Sequence, residues 1–184
     1  MFGMVNKAIE DMVRQRHGDA VWEDLKTRAG VDVEMFLSDE SYPDDMTFRL
    51  VATASEMLGA DVHDILVAFG RHWISFTAQE GYGALLAAAG QTIPEFFANL
   101  PNFHNRIAMM LPGLQPPRFS CTDVTPNSLR LHYLTHRRGL TAFVIGLLQG
   151  LGERMGTPVH VTLVQSREAG ADHDVFDVSW SPRD

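Results

Sequence analysis

The chain has 184 residues, 45% hydrophobic and 21% charged, which suits one folded domain with a sizeable core rather than a disordered segment. Its formal charge of −8 argues against nucleic acid and anionic membrane as principal partners, because both reward a basic face. The single cysteine, Cys121, rules out an internal disulfide framework and a cysteine-cluster zinc site. Glu10 and Asp11 stand where a signal peptide would be apolar, and no apolar run approaches the roughly 18 residues of a membrane span, so the expected location is cytoplasmic.

The first hundred residues read as helices. Phe2, Val5, Ile9, Met12 and Val13 recur at spacings of three and four, the mark of one helix face, up to Gly18. Residues 19–29 give a short helix with Val21, Trp22 and Leu25 as its stripe. An acidic, turn-rich loop follows over residues 38–45. Residues 48–58 are predicted helical and stopped by Gly59, and Asp61 caps a helix reaching Gly70. Residues 73–89 are predicted helical with a break near Gly81-Tyr82-Gly83. Thr92, Pro94 and Glu95 form a strong helix start, before Phe96, Phe97 and Leu100. Pro101 is expected to kink or restart that helix ahead of Phe103, His104, Ile107 and Leu111.

Beyond Pro117 the period becomes two. Residues 119–122 and 128–135 suggest a hairpin, and residues 159–164 and 174–180 suggest two further strands. Between these pairs a helix carries Leu140, Phe143, Val144, Leu147, Leu148, Leu151 and Met155 on one stripe. The expected class is α+β: a helical lobe, then a mixed lobe with a roughly four-stranded antiparallel sheet.

The most informative stretch is Tyr133-Leu134-Thr135-His136-Arg137. If the strand continues through it, Tyr133, Thr135 and Arg137 project from the core-facing side with Leu129 and Leu131. A phenol, a hydroxyl and a guanidinium on such a row need a partner, since unpaired buried polar groups are costly. All three donate, so the partner is an anion: protein carboxylates or the acidic groups of a bound cofactor.

Other candidates are weaker alone. His104 lies among Leu100, Phe103, Ile107 and Met110, where a neutral imidazole serves either as a haem ligand or as a half-buried histidine bonded to backbone. His132 and His136 share the opposite strand face without an obvious third ligand, so a solvated face is the simpler reading. His72 and Trp73 suit core packing. The sequence contains no Gly-rich phosphate loop, nucleophile elbow or paired-histidine zinc motif, and Cys121 has no basic neighbour in sequence, so catalysis is not expected. Taken together, an apolar His104 and an inward Tyr-x-Thr-x-Arg row form a coherent haem proposal, with iron at His104 and propionates at the row.

With these residues in place, the chain resembles the haem nitric oxide/oxygen-binding (H-NOX) domains, relatives of the haem domain of soluble guanylate cyclase, over nearly its whole length. Tyr133, Thr135 and Arg137 match the family's Tyr-x-Ser-x-Arg propionate signature, with Thr135 where the family has Ser. Residues 95–104 match its proximal segment, making His104 the iron ligand. Gly70-Arg71-His72-Trp73, Glu80-Gly81-Tyr82-Gly83 and His173-Asp174-Val175-Phe176 resemble further landmarks. The resemblance implies haem b and a distal lobe over residues 1–60 with a proximal lobe over residues 61–184. Pro117 would pack on the haem, and Val5, Ile9, Trp73 and Ala142 would line its distal side.

Oxygen-holding relatives carry a distal tyrosine five residues after the signature arginine. That position here is Ala142, which implies nitric oxide selectivity. The implied function is a cytoplasmic, non-catalytic gas sensor in which nitric oxide releases His104. No output domain is expected in the chain, so a separate histidine kinase or cyclic-di-GMP enzyme would read the state. The alternatives are a haem-based oxygen or redox sensor and a cofactor-free protein-interaction module.

Overall fold

A computed structural model of the chain describes residues 1–181. Helix α1 (Gly3–His17) buries Met4, Ala8, Ile9, Met12 and Val13, the face that the three- and four-residue spacing predicts. Helix α2 (Asp19–Arg28) buries Trp22 and Leu25. Helix α3 (Asp44–Leu58) starts earlier than its apolar pattern, because Asp44 and Asp45 occupy its first turn, where carboxylates are favourable at the positive end of the helix dipole.

Helix α4 (Val62–Thr77) is capped by Asp61, which accepts from the His63 amide at 2.7 Å. It runs through Gly70 instead of ending there. Gly70 serves close packing rather than termination: a Cβ at this position would lie 2.2 Å from the Phe143 carbonyl oxygen. A π-helical turn (Ala78–Tyr82), with Gly81 at φ +94°, separates α4 from α5 (Gly83–Ala89). Helix α6 (Ile93–Met110) opens with the reciprocal Thr92–Glu95 capping box. It continues through Pro101, because Phe96, Phe97, Leu100 and Ile107 are buried on both sides of the proline and their packing outweighs one lost backbone bond.

Strands β1 (Arg118–Thr122), β2 (Ser128–Leu134), β3 (Val159–Gln165) and β4 (Asp174–Trp180) form one antiparallel sheet in the order β1-β2-β4-β3. Helix α7 (Thr141–Arg154) lies in sequence between β2 and β3. The fold is α+β, as the alternation of periods predicts. One boundary differs with consequence: β2 stops at Leu134, so Thr135 and Arg137 lie beyond the strand. The Thr135 hydroxyl accepts from the Arg137 amide at 3.1 Å, a side-chain turn that competes with continued strand pairing.

Two apolar clusters organise the interior. The first joins Met4, Ile9, Trp22 and Leu50 to Leu66 and Phe69, so it runs unbroken from α1 into α4. The second joins Phe96 and Phe97 of α6 to Leu131, Tyr133, Val144 and Phe176 of the sheet and α7. Helices α4 and α7 bind the two together where Gly70, Gly146 and Gly150 let backbones touch. Among the described residues no helix is long and apolar enough to cross a membrane.

Candidate cofactor cavity

A cavity of about 270 Å³ lies between the clusters, lined by apolar side chains from both. Helix α6 delivers His104 to its wall. The imidazole Nδ1 lies 3.0 Å from the carbonyl oxygen of Leu100, one turn earlier, and Nε2 has no hydrogen bond among the described residues. Burial pushes the His104 pKa below its ordinary 6.5, and the Leu100 carbonyl opposes this only in part. The ring is therefore neutral: Nδ1–H donates to Leu100, and Nε2 keeps its lone pair. The Phe119 ring lies 5.2 Å from the imidazole and stacks on Tyr133 at 5.1 Å.

Tyr133 is buried at the sheet end of the cavity, and burial pushes its phenol up to about 12, so it is a donor. Arg137 also lines the cavity. Its Nε donates to Asp44 Oδ2 at 2.8 Å and its Nη1 to the Gln115 carbonyl at 3.4 Å. Asp44 additionally binds the Met1 amine, and burial, which alone would raise its pKa, is outweighed by these two cations. Thr135 does not line the cavity; its hydroxyl holds the Arg137 amide.

The turn is fixed from outside by Arg167, whose Nη1 donates to the Thr135 carbonyl at 2.6 Å and the Arg137 carbonyl at 3.3 Å. Buried Asp174 in turn accepts from the Arg167 amide at 2.7 Å and the Thr141 hydroxyl at 2.6 Å. Asp44 and Arg167 carry no motif in the sequence, and Asp174 stands there only within the His173-Asp174-Val175-Phe176 resemblance; their contacts reveal their roles.

Of the remaining residues singled out in the sequence, Val5, Trp73 and Pro117 line the cavity, whereas Ile9 and Ala142 do not. Both are buried in the first cluster instead. The α7 residues that do line it are Leu140, Phe143, Val144, Leu147, Leu148 and Leu151. Phe143 therefore stands at the cavity where counting five from Arg137 selects Ala142. The apolar stripe of α7 carried that signal, because Phe143 belongs to it and Ala142 does not. Phe143 packs 5.0 Å from Phe69 and 6.2 Å from Trp73. Two hydroxyls at the cavity are committed elsewhere: Thr47 donates to Asn6 and Thr77 to the Trp73 carbonyl. Tyr82, from the π-helical turn, also lines the cavity, and its hydroxyl has no hydrogen bond among the described residues.

The model of the HNOB family, described as Haem-NO-binding, matches residues 2–163. The chain belongs to this family. H-NOX domains are haem-based gas-sensing domains, and the fold agrees. An H-NOX protein from S. oneidensis in the Fe(II)NO state superposes with a TM-score of 0.90 at 20% identity, covering 99% of this chain and all of that one. The unliganded Fe(II) H-NOX protein from K. algicida gives 0.85 at 21% identity, covering 100% of this chain and 98% of that one. In sequence, soluble guanylate cyclase gcy-35 of Caenorhabditis elegans is 29% identical over 174 residues, which are 91% of this chain and 25% of that protein. Soluble guanylate cyclase gcy-31 of the same organism is 24% identical over 155 residues, 84% of this chain and 22% of that one. The chain thus spans about a quarter of the length of these relatives.

The residues of this H-NOX domain suit haem. His104 presents a free, neutral Nε2 to an apolar cavity, and cationic and phenolic donors stand at one end of it.

Proposed function

We propose that this H-NOX domain is a nitric-oxide-selective haem b sensor in which His104 would hold the iron. The observation that carries this reading is the His104 imidazole, anchored through Nδ1 to Leu100 with Nε2 unengaged at the cavity. Haem, when bound, supplies an iron that takes a diatomic ligand. Tyr133 and Arg137 would hold the propionates, with Thr135 shaping the turn that presents Arg137. Pro117, Val5 and Trp73 would pack against the porphyrin, while Ile9 and Ala142 would back those side chains from the core.

Selectivity for nitric oxide rests on Phe69, Trp73 and Phe143, which bring no hydroxyl or amide donor except the indole N–H to their part of the cavity. A second reading, an oxygen sensor, is favoured by one observation, the unpartnered Tyr82 hydroxyl at the cavity. Oxygen affinity of the ferrous protein and of Tyr82→Phe separates the two: a stable oxygen complex lost in Tyr82→Phe overturns nitric oxide selectivity.

Residues 1–60 would form the distal lobe and residues 61–184 the proximal lobe, with α6 as the element that answers the ligand. If nitric oxide released His104, α6 would be freed from the cofactor that His104 would hold. The close glycine contacts between α4 and α7 leave those helices little freedom to slide, so α6 and its neighbours would take up the change. Ligand and partner then bias one two-state equilibrium. The reader of that state would be a separate cytoplasmic protein, such as a histidine kinase or a cyclic-di-GMP enzyme, and the domain itself would perform no catalysis.

The test is the absorption spectrum of the ferrous protein under nitric oxide. A five-coordinate spectrum is expected. A persistent six-coordinate one overturns release of His104, and absence of any Soret band after haem is supplied overturns the haem reading.

A further inference from the structure

The outer face of the sheet carries a histidine pair that the cavity does not use. His132, on β2, points away from the buried row of Leu129, Leu131 and Tyr133. Its partner is His173, just before β4, and not His136, which is exposed beyond the end of β2. His132 Nδ1 and His173 Nε2 face one another at 2.9 Å. Each ring's other nitrogen meets an oxygen: His132 Nε2 lies 2.9 Å from the Thr122 hydroxyl, and His173 Nδ1 lies 2.7 Å from Asp172 Oδ1. The Asp172 contact falls short of an in-line hydrogen bond. Asp172 Oδ1 nonetheless lies within ion-pair distance of that nitrogen, and a carboxylate oxygen only accepts. Gln165 supports the arrangement by donating to the His173 carbonyl at 3.1 Å.

Asp172 as acceptor places the His173 proton on Nδ1 and leaves a lone pair on Nε2. The facing His132 Nδ1 must then carry the single proton that bridges the pair. That proton is replaceable. The Thr122 hydroxyl donates or accepts with equal ease, so His132 can move its proton to Nε2, with no net loss, and present a second lone pair to the gap. Both imidazoles would then have an oxygen acceptor behind them and a free nitrogen in front. Ligating histidines in metal sites are oriented by this pattern.

We infer that His132 and His173 form a binding site for a divalent transition-metal cation of the zinc, nickel and copper class, with water completing the coordination. A tetrahedral Zn²⁺ with Zn–N of about 2.0–2.1 Å sets its two nitrogens roughly 3.3 Å apart. The nitrogens then part by about 0.4 Å, and the rings, now nearly head-on with centroids 5.2 Å apart, tilt until both lone pairs converge on the ion. Both residues are half-buried on the outer face of the sheet. No group of three or more His, Cys, Asp or Glu placed to hold a metal occurs among the described residues, so this is a two-histidine site with open positions. The bound ion would pin β2, immediately before Tyr133, to the start of β4.

Titration calorimetry with Zn²⁺ on the full chain tests the site, with His104→Gly titrated alongside so that binding at the cavity histidine is counted separately. One equivalent is expected that His104→Gly retains. His132→Gln and His173→Gln should each weaken it at least tenfold, and Asp172→Asn by several-fold, while His136→Gln and His160→Gln leave it unchanged. Melting curves without metal establish that each variant is folded. Zinc binding that survives in the folded His132→Gln/His173→Gln double variant overturns the assignment, as does the absence of any equivalent beyond His104.

Discussion

Asp44 and Arg137, 93 residues apart in sequence, meet at 2.8 Å between Oδ2 and Nε, and the Met1 amine closes on the same carboxylate. The first turn of α3 is thereby joined to the turn that follows β2. This contact makes the helical half and the sheet half depend on one another at the mouth of the cavity. Arg137 spends Nε on this pair and Nη1 on the Gln115 carbonyl, and among the described residues no carboxylate lines the cavity.

The sign of its pH dependence follows from Asp44. Its native pKa is depressed, so the pair's stabilisation is fully present above the ordinary carboxylate value of 3.8 and is lost as pH falls through the lower native value. For a partly exposed pair the contribution is about 1 kcal/mol. Asp44→Asn should lower the melting temperature at pH 7 by roughly 2–4 °C. Melting curves of both proteins should converge as pH falls from 3.8 through that lower native value. A difference that stays constant down to that pH would show the pair to be without electrostatic weight.

Arg137 and Thr135 separate by role. Arg137→Ala removes a charge and two hydrogen bonds at the cavity, whereas Thr135→Ala removes the bond that shapes the turn and a contact to the Tyr133 phenol but no charge. Haem transfer to apomyoglobin should be at least about tenfold faster from Arg137→Ala, consistent with loss of a charge-assisted contact of roughly 1.5–3 kcal/mol. Thr135→Ala should change that rate by a smaller factor. Equal rates in the two variants would remove Arg137 from the propionate role.

His104→Gly isolates the axial position. The variant keeps the apolar walls and the Tyr133 and Arg137 donors but lacks the one free ring nitrogen. Haem should bind without a protein axial ligand, and added imidazole should restore the histidine-ligated spectrum. Restoration without imidazole would mean that another histidine reaches the iron.

Gly70 tests the join between the halves. Its missing Cβ accommodates the α7 backbone, with the Phe143 oxygen at 2.2 Å and the Leu147 nitrogen at 2.6 Å from where a methyl would stand. Neither atom is a flexible side-chain end, so Gly70→Ala should cost about 1–3 kcal/mol by overpacking. Gly59 makes the contrast. It caps α3 in the left-handed conformation with open space around it, and Gly59→Ala should cost about 1 kcal/mol through backbone strain alone. Urea unfolding of both variants measures the difference.

Local chemistry was legible in the sequence and long-range chemistry was not. Caps at Asp61 and Thr92–Glu95 lie within four residues of what they bind, so they could be read directly. The alternation that sets the sheet was equally plain. Three features were set by partners distant in sequence. Helix α4 passes Gly70 because α7 lies against it, and α6 passes Pro101 because the core covers both of its ends. Strand β2 ends at Leu134 because Thr135 turns onto Arg137 while Arg167 holds both carbonyls. His132 likewise found His173, 41 residues away, in place of nearby His136.

The phase of α7 decides the last prediction. The family match selects Ala142, and Gly139, at φ +75°, turns the chain just before the helix begins. Phe143 lines the cavity while packing on the first cluster, and Ala142 is buried within that cluster. A phenol placed at 143 would stand at the cavity wall as a donor, whereas one at 142 would meet packed side chains. Phe143→Tyr should convert the ferrous protein to one that holds oxygen, visible as a stable shift of its absorption bands in air. Ala142→Tyr should instead lower stability by about 1–3 kcal/mol through overpacking, without an oxygen complex. The reverse result would place Ala142 at the ligand and Phe143 in the wall behind it.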